Sequence, residues 1–292
     1  MKVIHSTAIS VANTNLVLDA FITKLCAQHS HDEDPLLAAL DHHLAGGGNR
    51  TRAHICHRAS ISIGLTEEEA LCLAASVECL HNASLVQDDL QDRSPIRRGR
   101  SAIWKLYGND TALCLTDLLL SAAYAALGSL PPTERLGSLV SYIHSSVSKT
   151  LRGQMKDTIK HLPNKRVDAS LENALTKSGP FFVAALELPL IAAGVQEHLS
   201  RARIAAENFG LGYQIYDDVT DLNQDMHEGN QHNIVLALTE STDIKTATRQ
   251  AASMACSYLR KAAKSARLLP HGSGEVLAEQ AEIVIEKFRA FS

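Results

Sequence analysis

Two acidic clusters of one form, Asp88-Asp89-Leu90-Gln91-Asp92 and Asp217-Asp218-Val219-Thr220-Asp221, each stand at the end of an apolar run with helical periodicity. On an α-helix, residues four apart share a face one turn up, so Asp88 pairs with Asp92 and Asp217 with Asp221. An acidic run by itself is most often a solvated helix face. The surroundings argue otherwise. Before the first cluster, Val77, His81, Ser84, Asp88 and Asp92 advance in steps of three or four, from apolar to polar along one face. Before the second, the segment from Phe209 to Tyr216 is too apolar for a surface helix, and Gln214, Asp217 and Asp221 share one of its faces. Like-charged carboxylates in a mostly buried cleft are costly without cations, because desolvation and mutual repulsion both oppose ionisation. Carboxylates are also the hard oxygen ligands of Mg2+, which keeps several waters and is usually bound by a few carboxylates together with substrate phosphates. The pattern predicts helices that bring two acid pairs to an internal Mg2+ site for a phosphate ester.

Cations follow the first cluster at once, as Arg93, Arg97, Arg98 and Arg100. Arginine forks match phosphate oxygens bidentately, and Gly99 lets the chain turn tightly between them. Alone, such a tetrad reads equally well as surface charge; beside an acid pair, a phosphate site is the better reading.

With these residues assembled, the chain resembles the trans-isoprenyl diphosphate synthases, the polyprenyl synthetase family. The resemblance runs from about Asp34 to His232. It rests on Gly47-Gly48-Asn49-Arg50-Thr51-Arg52, on His81 through the first aspartate cluster to Gly99, on Gly153-Gln154 with Asp157, on Lys177-Ser178-Gly179, and on Tyr213-Gln214-Ile215-Tyr216 leading into the second cluster. Each motif is moderately specific, and the ordered set is highly so. The resemblance implies an isoprenoid synthase fold around a central cavity, with Asp88, Asp92, Asp217 and Asp221 holding three Mg2+ ions on an allylic diphosphate and Asp89 in support. Arg97, Lys177 and Gln214 would grip that diphosphate, with Ser178 in the usual threonine position. Arg52, His81 and Arg98 match positions that bind isopentenyl diphosphate. The implied reaction ionises the allylic diphosphate, and the isopentenyl double bond attacks the resulting carbocation. A homodimer is implied too.

Two departures qualify the match. Asn49 stands where the family has a lysine gripping isopentenyl diphosphate, and the segment Leu222 to Asn233 lacks the expected Gly-Lys pair. Losing one hydrogen bond to a charged group costs about 1.5–3 kcal/mol, so the isopentenyl site is either weakened, re-formed with Arg50, or abandoned. The last option describes a terpene cyclase-like enzyme that ionises an allylic diphosphate. A non-catalytic subunit of a heteromeric synthase is a third reading, although such subunits tend to lose the aspartate clusters that this chain keeps.

Chain length of the product is read above the first cluster. Short-chain members of the family place bulky aromatics four or five residues before the first aspartate. Here Ala83 and Ser84 leave that depth open, with Leu80 and Val77 bounding it further along. Geranylgeranyl diphosphate or a somewhat longer product is expected.

The rest of the chain agrees with an all-α, single-domain helical bundle spanning 1–292. Alanine and leucine dominate long stretches such as Ala112 to Leu127, while aromatics make up only 4% of the residues, so strand alternation is scarce. Pro35 after Asp34 marks a helix start, Pro131-Pro132 a junction before a helix running to about His161, and Gly179-Pro180 a break. The six cysteines have no CxxC spacing and lie mostly in apolar helical contexts, which fits a reduced cytoplasm. Net charge of −4 argues against a nucleic-acid partner. No secretory leader is recognised, and the longest apolar stretch, taken as Phe181 to Val195, is short of the roughly 20 residues a bilayer requires, so no transmembrane segment is expected.

Overall fold

The structure is a computed structural model that describes the backbone of residues 2–159, 167–177, 179–228 and 233–289, and the side chains of 14–155, 167–176, 179–226 and 233–289. Its described residues are helical almost throughout, and they gather into two compact units. One comprises the residues up to His57 and from Thr66 to Val140; the other comprises Arg58–Leu65 and the residues from Ser141 onward.

The first unit holds α1 (Lys2–Cys26), α2 (Pro35–Ala45), most of α3 (Thr51–Ser62), α4 (Glu67–Gln91), α5 (Ile103–Tyr107) and α6 (Asn109–Gly128). Helix starts follow local chemistry. The Asp34 carboxylate accepts from the Leu36 and Leu37 amides at 2.8 and 3.4 Å with Pro35 in the first turn, as the sequence predicts. At α4, Thr66 and Glu69 form a reciprocal capping box: Thr66 Oγ1 accepts from the Glu69 amide at 3.2 Å, and the Thr66 amide donates to Glu69 at 2.8 Å. Helix α4 is buried on nearly all sides between Cys72 and Leu80, packed against α1, α5 and α6.

Helix α6 packs against α1, α2, α4 and α5, burying Leu115, Leu119, Ala123 and Leu127. It also bears on the expected absence of a transmembrane segment. Among the described residues, α6 is the helix long and apolar enough to cross a membrane by length and composition. Thr116, Asp117 and Ser121 interrupt its apolar residues, so no unbroken run announces it. In this unit it is buried along one side, with Leu113 among its exposed residues.

In the second unit lie most of α7 (Leu136–Ile159), then α8 (Val167–Lys177), α9 (Gly179–Ala193), α10 (Leu199–Thr220), α11 (Leu222–Glu228), α12 (Ile234–Leu238), α13 (Ile244–Ala266) and α14 (Glu275–Phe288). The start of α7 beyond Pro131-Pro132 falls where the prolines place it, while Gly179 and Pro180 open α9, and Ser178 before them lies outside the described residues. Helix α10 is central, packing on α8, α9, α13 and α14. It approaches α13 at Gly212, where a Cβ would sit 2.5 Å from Leu259 Cγ, so only glycine allows the two axes so close. Phe182, Phe209 and Tyr213 cluster at the α9–α10 contact, with ring centroids 5.0–5.8 Å apart.

Replacing Thr66 by Ala removes the box that starts α4. Urea unfolding is expected to show a loss of about 1 kcal/mol, because the cap satisfies amides that no helical carbonyl reaches.

Candidate active site

The first aspartate cluster occupies the last turn of α4, with Asp92 as its C-cap and the Asp92 amide donating to the Asp88 carbonyl at 2.8 Å. Its three aspartates divide sharply. Asp89 is 2% exposed and clamped by Arg97, whose Nε donates at 3.0 Å and Nη2 at 2.5 Å to Oδ1. Burial opposes the Arg97 charge, but its bonds to Asp89 and the field of Asp88 and Asp92 outweigh that, and its pKa ends above the ordinary value. Asp88 and Asp92 are only partly covered or exposed. One carboxylate is thus turned inward and neutralised, leaving the i, i+4 pair accessible.

Arg97 reaches Asp89 from a two-residue hairpin in which β1 (Ile96–Arg97) pairs with β2 (Arg100–Ser101), Arg97 opposite Arg100. Arg98 and Gly99 form the turn, both with positive φ, 53° and 74°. The hairpin sends the arginines different ways. Arg98 Nη1 donates to the Gly47 carbonyl, and its guanidinium lies against Gly48, where φ is +126° and a Cβ would come within 2.5 Å of Arg98 Cζ. Arg100 donates to His42 Nδ1 at 3.1 Å. Arg93 bonds Asn109 Oδ1 at 3.1 Å and stacks over Trp104. Of the tetrad, only Arg97 and Arg98 join groups that the sequence singles out.

Beside Arg98 lie two more of those groups. Arg52 Nη1 is 3.3 Å from His81 Nε2, so the imidazole accepts as a neutral ring. Burial first, and then Arg52, Arg98, His43 and Arg97, push the His81 pKa well down. Arg52, His81 and Arg98 therefore form one cationic floor within this unit. Arg50, which one of the three alternatives for the isopentenyl site would enlist, is engaged elsewhere. It is 5% exposed and held by Asp19 at 3.1 Å, by Glu78 at 3.6 Å, and by the carbonyls of Gly47 and Leu44. Asn49 is exposed.

Under the floor runs a polar chain that the sequence did not announce. His43 Nε2 bonds Asn82 Oδ1 at 2.9 Å, and Asn82 Nδ2 donates to the carbonyl and carboxylate of Glu78 at 2.8 and 3.1 Å. Burial, opposed by the Asn82 bond and aided by Arg98, Arg50 and Arg97, lowers the His43 pKa to about 4. No signal in the sequence separates His43 from the other histidines. Of the residues expected to set product length, Ala83 and Leu80 are buried, while Ser84 is half-buried and donates to the His81 carbonyl at 2.7 Å.

In the second unit the same division recurs at the end of α10. Asp218 is buried: Gln214 Nε2 donates to its Oδ1 at 3.0 Å and the Ile234 amide to its Oδ2 at 2.8 Å. Burial, opposed by these bonds and reinforced by Asp225 and Asp221, pushes its pKa up to about 6. Asp217 is half-buried and Asp221 exposed, with the Asp221 amide donating to the Asp217 carbonyl at 2.9 Å. Gln214, expected to hold diphosphate, spends a donor on Asp218. The Lys177 side chain, Ser178 and the Asp157 side chain lie outside the described residues; Gly153 is pressed against the Thr176 backbone, its Cβ position 2.9 Å from the Thr176 carbonyl oxygen.

Each cluster keeps an accessible pair of carboxylates spaced by one helical turn, a hard-oxygen donor set that fits Mg2+. Burial raises Cys26 and Cys72 to about 11, far from a reactive thiolate.

With this geometry in hand, comparison with known proteins is decisive. The polyprenyl synthetase family profile matches residues 33–263, and the chain belongs to that family. A (2E,6E)-farnesyl diphosphate synthase of Mycobacterium bovis is 31% identical over 174 residues, 59% of this chain and 48% of that relative, so the chain spans about half the length of this curated relative. Among solved structures, a geranylgeranyl pyrophosphate synthetase from the archaeon Geoglobus acetivorans is similar with a TM-score of 0.82 at 22% identity, covering 94% of this chain and 97% of its own. A polyprenyl synthase from Caulobacter crescentus, complexed with calcium and isoprenyl diphosphate, gives 0.81 at 21% identity, with 95% and 96% covered. The fold is the all-α isoprenoid synthase fold.

Between pH 6.5 and 4, the unfolded chain takes up a proton at His43 that the folded chain refuses. Stability from this group is therefore complete above about pH 6.5 and lost on acidification toward pH 4, on the order of 3 kcal/mol in all. His43→Gln, which keeps an amide donor for Asn82, is expected to flatten this part of the slope in urea titrations across that range.

Proposed function

We propose that the protein is a Mg2+-dependent trans-prenyltransferase that condenses an allylic diphosphate with isopentenyl diphosphate, making geranylgeranyl diphosphate or a somewhat longer product. The reading treats 1–292 as one synthase domain acting as a cytoplasmic homodimer. The observation that carries it is the repeated division of the aspartate clusters: in both, the middle carboxylate is buried against protein donors, and the outer two stand one helical turn apart and less buried.

Asp88, Asp92, Asp217 and Asp221 would hold Mg2+ on the allylic diphosphate. Bound Mg2+ would supply positive charge where pyrophosphate departs. Arg97 spends Nε and Nη2 on Asp89, which orients the guanidinium and leaves the Nη1 donors for a phosphate oxygen. Lys177 and Gln214 would add donors to the same group, with Ser178 beside them. Arg52 and Arg98 would receive isopentenyl diphosphate, and His81, kept neutral by burial and its cationic neighbours and accepting from Arg52 at Nε2, would offer that site its other ring N–H without further charge. Small Ala83 and Ser84 leave the growing tail room, with Leu80 beyond.

A second reading, ionisation of an allylic diphosphate without isopentenyl diphosphate, is favoured by two observations: Asn49 replaces the family lysine, and Arg50 is too engaged to substitute for it. Incubation with Mg2+ and allylic diphosphates, with and without isopentenyl diphosphate, decides. A longer diphosphate supports condensation. Hydrocarbon or alcohol formed without isopentenyl diphosphate supports the second reading, and silence in both arms points to a non-catalytic subunit.

Asp88→Ala is expected to lower turnover by at least about a hundredfold, and undiminished turnover would remove Asp88 from the metal site. Ser84→Phe is expected to shift the product mixture, resolved by chromatography, toward shorter chains.

A further inference from the structure

Among the buried side chains that the proposed chemistry does not use, Asn233 is the most heavily committed. It is fully buried and every hydrogen-bonding capacity of its amide is filled. Nδ2 donates at 2.7 Å to the Asp218 carbonyl and at 2.7 Å to Asp225 Oδ2. Oδ1 accepts from the Val235 and Leu236 amides at 2.9 and 3.3 Å, which makes Asn233 the N-cap of α12. Its neighbour Ile234 donates a main-chain N–H to Asp218 Oδ2. One residue thus joins three elements: the last turn of α10, α11 through Asp225, and the start of α12.

The location gives this a functional sense. Carbonyls in the last turn of a helix have no amide four residues on to accept, and Asn233 supplies a donor to the one at Asp218. Asp221 sits between the two groups that Asn233 holds, and its amide and carbonyl continue the helical hydrogen bonds from Asp217 to Asp225. Asp217, Asp221 and Asp225 consequently follow one another at one-turn intervals. Their mutual repulsion favours splaying, and only a neutral donor fixed from a separate element can hold Asp218 and Asp225 together without adding charge. The aspartate cluster cannot do this from its own helix.

We propose that Asn233 is the positioning residue of the second aspartate cluster, setting the orientation of Asp217 and Asp221 toward their cation through its bonds to Asp218 and Asp225. This rests on the reading of those two aspartates as cation ligands. Asn233 itself touches neither cation nor substrate.

Asn233→Ser separates the two tasks of the side chain, because serine also caps a helix well but cannot span to Asp218 and Asp225. Asn233→Asp keeps the cap and turns both donor bonds into repulsions. The binding of Mn2+ in the presence of inorganic pyrophosphate would be followed by electron paramagnetic resonance for the wild type and both variants, with thermal melting alongside. The expected result is a half-saturating Mn2+ concentration raised about tenfold in Asn233→Ser and more in Asn233→Asp, with partial recovery in Asp225→Asn/Asn233→Asp, where amide and carboxylate exchange places. A lower melting temperature with unchanged Mn2+ binding would overturn the proposal and reduce Asn233 to a structural cap. Absence of pyrophosphate-dependent Mn2+ binding in the wild type would instead overturn the cation-site reading, and the positioning role with it. Should Asn233→Asp fail to fold, Asn233→Ser decides alone.

Discussion

A carboxylate buried among other carboxylates inside a helical protein must be given hydrogen-bond donors by the protein before its neighbours can be offered to a cation. Both aspartate clusters solve this in the same way with different chemistry. Asp89 receives a charged guanidinium fork from the hairpin that follows α4. Asp218 receives neutral donors, the Gln214 amide and the Ile234 main chain. The charged clamp cancels a unit of negative charge, whereas the neutral one leaves it; burial still raises the pKa of both aspartates, that of Asp218 to about 6 against the lowering effect of its donors. In each case the inward aspartate spends its oxygens on the fold, and the two aspartates one turn apart beside it are less buried.

The cationic floor of the first unit obeys the same economy of charge. Arg50, Arg52 and Arg98 lie close together, which is tolerable because Asp19 and Glu78 take up Arg50 and because His43 and His81 are held neutral. Arg98 lies flat on Gly48, which requires both the absent side chain and the left-handed backbone there. The missing family lysine at Asn49 therefore has no stand-in at Arg50. What anion affinity this floor has must come from Arg52 and Arg98.

Much of the architecture was legible from residues alone. Helix starts at Pro35 and after Pro131-Pro132 came from backbone chemistry that tertiary context seldom overrides. The acid pairs were legible because helical spacing alone puts residues four apart on one face. Not legible were the partners of the middle aspartates and the engagement of Arg50 with Asp19 and Glu78.

Sequence by itself determined the family, the all-helical class, and which aspartates of each cluster share a face, since all three depend on local periodicity and ordered motifs. Only the tertiary structure decided which carboxylate turns inward, which arginine meets it, and that Asn233 ties α10, α11 and α12 together. Those outcomes depend on groups brought together from distant segments, and the competition between burial and hydrogen bonding that settles them has no trace in the spacing of residues along the chain.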